Sequence, residues 1–222
     1  MASVSKQRTV VGIDVGGRRK GFHAVVLQNG KYAVQRQTRD AREMAAWCRD
    51  EIGAQVVAVD APCRWSRGPG GRAAERELLR EGTRCFLTPT RREALRHPAG
   101  FYDWMLRGEE LFRALERTYC LCKSLPRTGQ RCCFETFPHA ITRNLRGGNA
   151  EVARKRTQRT ALLRAYGCRT GRLTNMDWID AALCALAADL LLAGGDVRLH
   201  GTAETGFIIV PACRVAKKFA SS

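Results

Sequence analysis

TVVGIDVGG, residues 9–17, is the stretch of sequence that decides the fold. Its β-branched and apolar side chains predict a buried strand, and the glycines at its end predict a turn. Asp14 is therefore a charged residue at the end of a buried strand. It could be a turn former before the glycines, or a functional carboxylate that the strand presents at the edge of a sheet.

The residues that follow predict two more strands joined by a tight turn. Residues 21–27 read GFHAVVL and residues 31–37 read KYAVQRQ, with Asn-Gly between them. Asn-Gly between two such runs is typical of a β-hairpin. The first three strands should therefore form an antiparallel meander.

A helix and a fourth strand come next. Apolar side chains recur along one face of residues 41–52 and predict a helix there. The side chain of Asp40 can cap its N-terminus. Residues 56–59 predict another buried strand, which Pro62 prevents from continuing. The carboxylate of Asp60 is thereby left at the C-terminal edge of this strand.

The composition then changes. Residues 63–130 are rich in arginine, glycine and proline, and they predict an insertion with helices at about 73–81 and 108–121. Regular elements return after it. They are a strand at 132–136, a basic helix at 152–166, an apolar helix from about Asp177 and a short strand at 207–210.

This order of elements predicts an α/β fold of the ribonuclease H-like type. Its mixed sheet would combine an antiparallel three-strand meander with parallel strands, flanked by helices. A chain of 222 residues fits a single domain over residues 1–222. A helical, arginine-rich insertion at about 63–130 would interrupt that domain.

The charge of the chain indicates its partners. The 38 Lys and Arg residues exceed the 21 Asp and Glu residues, which gives a formal charge of +17. This excess favours nucleic acid, DNA or RNA, although a solvated basic surface would also produce it. The longest apolar stretch, 181–193, contains Asp189 and is shorter than the about 20 residues that span a bilayer, so we expect no membrane segment. The first residues lack a secretory signal and the ten cysteines suit a reduced core, so we expect a cytoplasmic protein.

Four aspartates acquire a common location in this fold. The ends of the first and fourth strands and the start of the last helix can meet at one edge of the sheet. The four residues are Asp14, Asp60, Asp177 and Asp180. A carboxylate cluster of this kind suits two Mg²⁺ or Mn²⁺ ions in phosphoryl transfer. Asp177 by itself could instead be a helix N-cap.

Several motifs resemble those of one known family. They are GIDVGGRRKGF at 12–22, VAVDAP at 57–62, FETFPHA at 134–140, KRTQRTALL at 155–163, DWIDAALCALAA at 177–188 and GTAETGFIIVP at 201–211. Together they resemble the domain of unknown function 429 family, predicted nucleases of the ribonuclease H-like superfamily. The resemblance covers most of the chain and implies this fold and a carboxylate site.

By motif position, the resemblance implies metal-ligand and catalytic roles for Asp14, Asp60, Asp177 and Asp180, with Mg²⁺ or Mn²⁺ as the ion. Glu135 is a further catalytic candidate that ends a strand one place further out. It could be a ligand, an acid that supports the ligands, or only a strand-edge residue.

Six basic residues are candidates for substrate binding. They are Arg64, Arg91 and Arg92 in the insertion, His139 after the fifth predicted strand, and Lys155 and Arg156 at the start of the basic helix. The histidine could act as a general acid or contact phosphate, and the cations could neutralise phosphate. Packing for the histidine and a solvated face for the basic helix are the alternatives. Trp65 and Phe86 in the insertion could stack on unpaired bases, or only pack.

The leading hypothesis is a divalent-metal-dependent nuclease that hydrolyses nucleic-acid phosphodiesters through the carboxylates. The first alternative is a non-catalytic nucleic-acid-binding protein of the same fold, which metal-dependent turnover would exclude. The second is an actin-like ATP-dependent phosphotransferase, suggested by the turn at residues 14–17. Against it, 222 residues are few for the duplicated domain of those enzymes, and no second GxDxG-type motif occurs.

Overall fold

The computed structural model describes residues 7–124 and 130–212. Residues 1–6, 125–129 and 213–222 lie outside the described residues. They include both ends of the expected domain and part of the end of the expected insertion.

The described strands form one mixed sheet. In chain order they are β1 (Thr9–Val15), β2 (Phe22–Gln28), β3 (Lys31–Thr38), β4 (Val56–Asp60), β5 (Cys120–Leu121), β6 (Cys132–Glu135), β7 (Val197–Thr202) and β8 (Gly206–Pro211). Their order in the sheet is β3-β2-β1-β4-β6-β8-β7, and β5 pairs with β6. β1 to β3 are antiparallel, whereas β4, β6 and β8 extend the sheet from β1 in parallel. The expected ribonuclease H-like sheet, a meander followed by parallel strands, is confirmed.

Helices flank this sheet. They are α1 (Ala41–Ala46), α2 (Ala73–Arg80), α3 (Arg91–Arg96), α4 (Asp103–Leu115), α5 (Pro138–Leu145), α6 (Lys155–Ala165) and α7 (Met176–Leu192). The Asp40 side chain caps α1 as expected, by accepting hydrogen bonds from two backbone N–H groups. α1 continues as a wider π-helical turn, Trp47–Glu51, which completes the helix expected over residues 41–52.

Alternating side chains of the central strands divide the core between two faces. Val10 and Val56 pack on the face that carries α7, whereas Val11 and Val57 pack on the face that carries α1 and α4. α7 lies directly on β1 because Gly12 has no side chain there. A Cβ atom at Gly12 would lie 2.0 Å from the backbone nitrogen of Ala185. This close approach fixes α7 relative to β1.

The helix expected over residues 108–121 has different boundaries. α4 begins earlier, at Asp103, and ends at Leu115. Residues 120–121 are β5, because they pair with β6 instead of continuing the helix. Tertiary pairing with a neighbouring strand therefore overrides the helical pattern of the sequence.

Besides β5, the helices α3 and α5 and the strand β7 were not expected from the sequence. α3 carries a recognisable signal, because Thr90 and Glu93 form a capping box at its start. α5 begins with Pro138 in its first turn, a position where proline is favoured. β7 pairs antiparallel with β8 and completes the sheet at that edge.

Candidate active site

The ends of β1 and β4 and the start of α7 contribute four aspartates to one place. The parallel register pairs Asp14 of β1 with Asp60, the last residue of β4. Asp177 and Asp180 lie in the first two turns of α7. These residues are named the aspartate cluster below: Asp14, Asp60, Asp177 and Asp180.

The N-cap of α7 is Asn175. Its side-chain oxygen accepts a hydrogen bond from the backbone N–H of Trp178 at 3.0 Å. Asp177 follows as a residue of the helix itself. A capping role therefore does not explain Asp177, and its carboxylate is available to the cluster.

The carboxylates raise one another's pKa values. The pKa of Asp14 lies well above its usual range because the group is buried and because Asp60, Asp180 and Asp177 repel its charged form. The pKa of Asp60 is raised well above its usual range by burial, followed by repulsion from Asp180, against an opposing effect of Arg159. Burial also raises the pKa of Asp180. With all four carboxylates ionised, the cluster would carry closely spaced negative charges, so a bound cation would favour the ionised form.

Two cations of the protein pair with the cluster. The Lys20 Nζ atom lies 3.0 Å from both carboxylate oxygens of Asp177, on an exposed side chain. Arg159 of α6 is buried and donates a short hydrogen bond to Asp180 through Nη1, while its Nε–H has no partner among the described residues. Four carboxylates thus have two directly paired cations. A further cation would relieve the remaining repulsion.

His23 adds an imidazole to the same place. It lies on β2 opposite Asp14 in the antiparallel register. Ligand atoms of Asp14, His23 and Asp177 all lie within 4.8 Å of one another. The His23 Nδ1 atom is buried with no hydrogen-bond partner among the described residues. Burial lowers the pKa of His23, with an opposing effect of Asp177, so the neutral ring is favoured and can offer a nitrogen lone pair.

Residues 12–205 match the family described as "Protein of unknown function (DUF429)". The chain belongs to the DUF429 family. This match confirms the resemblance inferred from the sequence motifs. No curated protein matches the chain.

Two solved structures are similar in fold to this DUF429 chain. The Thermus thermophilus RuvC structure has a TM-score of 0.47 and 15% sequence identity, and the match covers 84% of this chain and 96% of that chain. T. thermophilus RuvC in complex with Holliday junction substrate has a TM-score of 0.45 and 14% identity, with the same coverage.

Glu135 has a different environment from the aspartates of the DUF429 chain. At the end of β6 it accepts hydrogen bonds from the backbone N–H of Cys63 at 2.8 Å and from both terminal nitrogens of Arg72, at 2.8 and 2.6 Å. Arg72 also binds Glu75 through Nε at 2.7 Å. Glu135 is thus fully paired, and it adds only a minor repulsion to the charged form of Asp60.

The arginines expected to bind substrate from the insertion have protein partners or lie on the surface. Arg64 pairs with Glu116 at 2.7 Å and also donates to the backbone of Cys63. Arg91 pairs with Glu109 at 3.0 Å. Arg92 is exposed on α3 and makes no ion pair within the described part of the chain.

The remaining basic candidates surround the start of α7. Burial raises the pKa of Asp180, and the nearby charge of Lys155 partly opposes this rise. Arg156 donates to the backbone oxygen of Thr174 at 2.8 Å. His139 lies in the first turn of α5, and its pKa is lowered by burial and by the nearby charges of Arg159 and Arg143.

Three residues of this site were not among the candidates named from the sequence: Lys20, His23 and Arg159. The antiparallel pairing of β1 with β2 places His23 opposite Asp14, and the turn at residues 16–21 that joins these two strands sets this register. Arg159 follows Lys155 by four residues and so shares its helix face. No helix among the described residues is long and apolar enough to cross a membrane.

Proposed function

We propose that this DUF429 protein hydrolyses nucleic-acid phosphodiesters with the help of divalent metal ions. The observation that carries the proposal is the aspartate cluster, whose charge exceeds that of the two protein cations paired with it. A purely structural cluster would be expected to pair each buried charge. The excess supports a site that binds an additional cation.

The donor set fits Mg²⁺ or Mn²⁺. Carboxylate oxygens suit these hard ions, and one ring nitrogen of His23 is a further donor beside Asp14 and Asp177. The aspartate cluster would hold the ions, with His23 as a supporting ligand. When bound, such ions would act as Lewis acids on a phosphodiester.

The surrounding cations would bind and orient the substrate. Lys20 has an exposed side chain beside Asp177, from which its ammonium can turn towards a phosphate. Arg159 and Lys155 lie on the α6 face next to Asp180. The +17 charge of the chain would attract the backbone of DNA or RNA from a distance. Nine free cysteines in the described part of the chain support the reducing, cytoplasmic location that we expect.

Cleavage assays with matched aspartate variants test the proposal. Single-stranded DNA, duplex DNA and RNA are incubated with Mn²⁺, Mg²⁺ or EDTA, using wild type, Asp14→Asn and Asp180→Asn. We expect metal-dependent cleavage by wild type only, while the variants keep salt-sensitive binding. Asp50→Asn is the control, because Asp50 precedes β4 at the end opposite Asp60 and pairs on the surface with Arg49.

The non-catalytic alternative gives a different result. Binding without metal-dependent turnover by wild type would support a nucleic-acid-binding protein that has the fold alone. Cleavage that persists in both Asp14→Asn and Asp180→Asn would contradict the proposed site.

A further inference from the structure

A cleft opens beside the aspartate cluster. It lies between the ends of β4 and β6 and the segment that carries residues 85–105, and its empty space, counted together with the open solvent at its mouth, is about 400 Å³. Asp60, Thr136 and Phe137 line it from the sheet, and Phe86 and Trp104 line it from the other side. Asp60 belongs to both the cleft and the aspartate cluster. A group bound in the cleft would therefore lie next to the carboxylates.

The cleft contains a buried polar group without a partner. Thr136 is 2% exposed, and its backbone N–H donates to the backbone oxygen of Val59 at 2.9 Å. Its Oγ1 atom has no hydrogen-bond partner among the described residues. Two other buried threonine hydroxyls do have partners: Thr88 donates to Glu75 at 2.5 Å, and Thr142 to the backbone of Pro138 at 2.7 Å. An unpaired hydroxyl is destabilising, and because this oxygen is also closed to solvent, a ligand in the cleft could supply its partner only after the Thr136 side chain turns about χ1.

The opposite wall of the cleft exposes an aromatic ring. Phe86 is 66% exposed. Its ring is held edge-on by Trp104, with centroids 6.4 Å apart, and by Phe101, with centroids 6.3 Å apart. This support holds the ring in place and leaves much of it open to a flat, apolar ligand.

We propose that this cleft binds one unpaired nucleobase of the substrate. The base stacks on Phe86, and a donor or acceptor on its edge pairs with the Thr136 hydroxyl, which can turn about χ1. The inference rests on the proposed function and names its substrate class: nucleic acid with an unpaired nucleotide, either single-stranded or with a base outside the duplex.

Charge favours a nucleotide over other flat ligands. Two arginines, Arg84 and Arg92, flank in the chain the segment that contains Phe86. Both are exposed, and neither makes an ion pair with a described residue. The chain as a whole carries +17. Cations beside a stacking ring are the combination that binds single-stranded nucleic acid. When the base of one nucleotide lies in the cleft, the adjacent phosphate of the same strand is brought towards Asp60.

Equilibrium binding tests the inference without cleavage. The probes are a fluorescein-labelled single-stranded oligonucleotide, the same strand as a duplex, and the same strand with abasic sites, each titrated with the full chain in EDTA. Wild type should bind the intact single strand more tightly than the abasic strand or the duplex. Phe86→Ala should weaken binding of the intact strand by roughly 5- to 100-fold and leave the other two unchanged. Leu95→Ala, which removes another exposed apolar side chain of the insertion, should change nothing.

Thr136→Val supplies a second, independent variant. It should also weaken binding of the intact strand, but it should not lower the melting temperature, because the hydroxyl it removes is unpaired. A lower melting temperature with unchanged binding would assign the hydroxyl a structural role and contradict the inference. A 2-aminopurine base in the strand should lose fluorescence on binding wild type and less on binding Phe86→Ala.

The results separate this inference from the proposed function. Equal binding of intact and abasic strands, or equal effects of Phe86→Ala and Leu95→Ala, would overturn the base-binding cleft even if Asp14-dependent cleavage is observed. Base-dependent binding through Phe86 without any metal-dependent cleavage would overturn the hydrolytic function and leave the cleft supported.

Discussion

Two groups of charged side chains lie at the carboxyl ends of neighbouring strands, and they differ in how completely their charges are paired. Beside β6, Arg72 is 1% exposed and binds both Glu75 and Glu135. Backbone N–H groups and a threonine hydroxyl satisfy these two carboxylates further. Beside β1 and β4, the aspartate cluster has more carboxylates than paired cations, and the Nδ1 atom of His23 has no partner within the described residues.

The difference separates a structural role from a functional one. A buried carboxylate whose lone pairs are all used can hold an insertion against the sheet, but it has no capacity left for a metal or a substrate. A cluster that raises its own pKa values stores repulsion, and a cation can release it. This contrast supports our proposal that the four aspartates bind metal, whereas the contacts of Glu135 favour a structural role.

Removal of Arg72 should have the largest effect. Arg72→Met leaves Glu75 and Glu135 buried without their cation, so we expect the free energy of unfolding to fall by about 3–5 kcal/mol. Urea denaturation measures this change. Arg64→Met is the control, because the Arg64–Glu116 pair is partly exposed and should contribute no more than about 1 kcal/mol. Equal losses in the two variants would show that the two pairs do not differ as described.

Metal binding should give the next largest effect. At a Mn²⁺ concentration about 100 times the dissociation constant, binding to the native state alone stabilises the protein by about 2.7 kcal/mol. We expect a rise in melting temperature for wild type, a smaller rise for His23→Gln and the smallest for Asp14→Asn. Differential scanning fluorimetry measures these shifts. Equal shifts in the three proteins would contradict a metal site at the cluster.

Asp14→Asn should stabilise the metal-free protein. Two unit charges 4 Å apart repel by about 4 kcal/mol at an effective dielectric constant of 20, and we expect about 1–2 kcal/mol of this to be recovered. The pKa of Asp14 is raised in the folded protein, so between the ordinary value of 3.8 and the raised value the folded state binds more protons than the unfolded state. The free energy of unfolding of wild type should therefore fall as pH rises through this interval.

The pH dependence gives this third prediction its control. In EDTA, the stability advantage of Asp14→Asn should be small near pH 4 and should grow towards neutral pH. Asp50→Asn removes a carboxylate from the exposed Arg49–Asp50 ion pair, and its effect on the free energy of unfolding should not increase with pH in this way. A constant advantage at every pH would mean that charge repulsion is not its cause.

Lys20→Met should have the smallest effect on stability. The Lys20 side chain is 63% exposed, so its pair with Asp177 should contribute less than about 1 kcal/mol. The same change removes a cation that competes for Asp177, so the Mn²⁺-induced rise in melting temperature should increase. Lys31→Met, at the exposed start of β3, should alter neither quantity. A smaller Mn²⁺ response in Lys20→Met would contradict this competition.

The sequence predicted the sheet and the aspartate cluster by local rules. Apolar runs that end in Asp14 and Asp60 identify strands with a carboxylate at the edge, and the order of the elements is enough to bring those ends together. The spacing of Asp177 and Asp180 assigns them to one face of α7 in the same way. These inferences succeed because strand and helix periods are properties of consecutive residues.

Only the tertiary structure decided which charges are paired. In the sequence, Glu135 is a further catalytic candidate beside the four aspartates, and Arg72 is one arginine among many; the fold buries the two together beside Glu75. His23 enters the site through the register of a hairpin, and the cleft between Phe86 and Thr136 joins segments some fifty residues apart. Hydrogen-bond satisfaction depends on distances between such segments, so it cannot be predicted from the pattern of either one alone. The sequence by itself determined the central strands and the positions of the acids along the chain, and three-dimensional packing decided which acids are paired with cations.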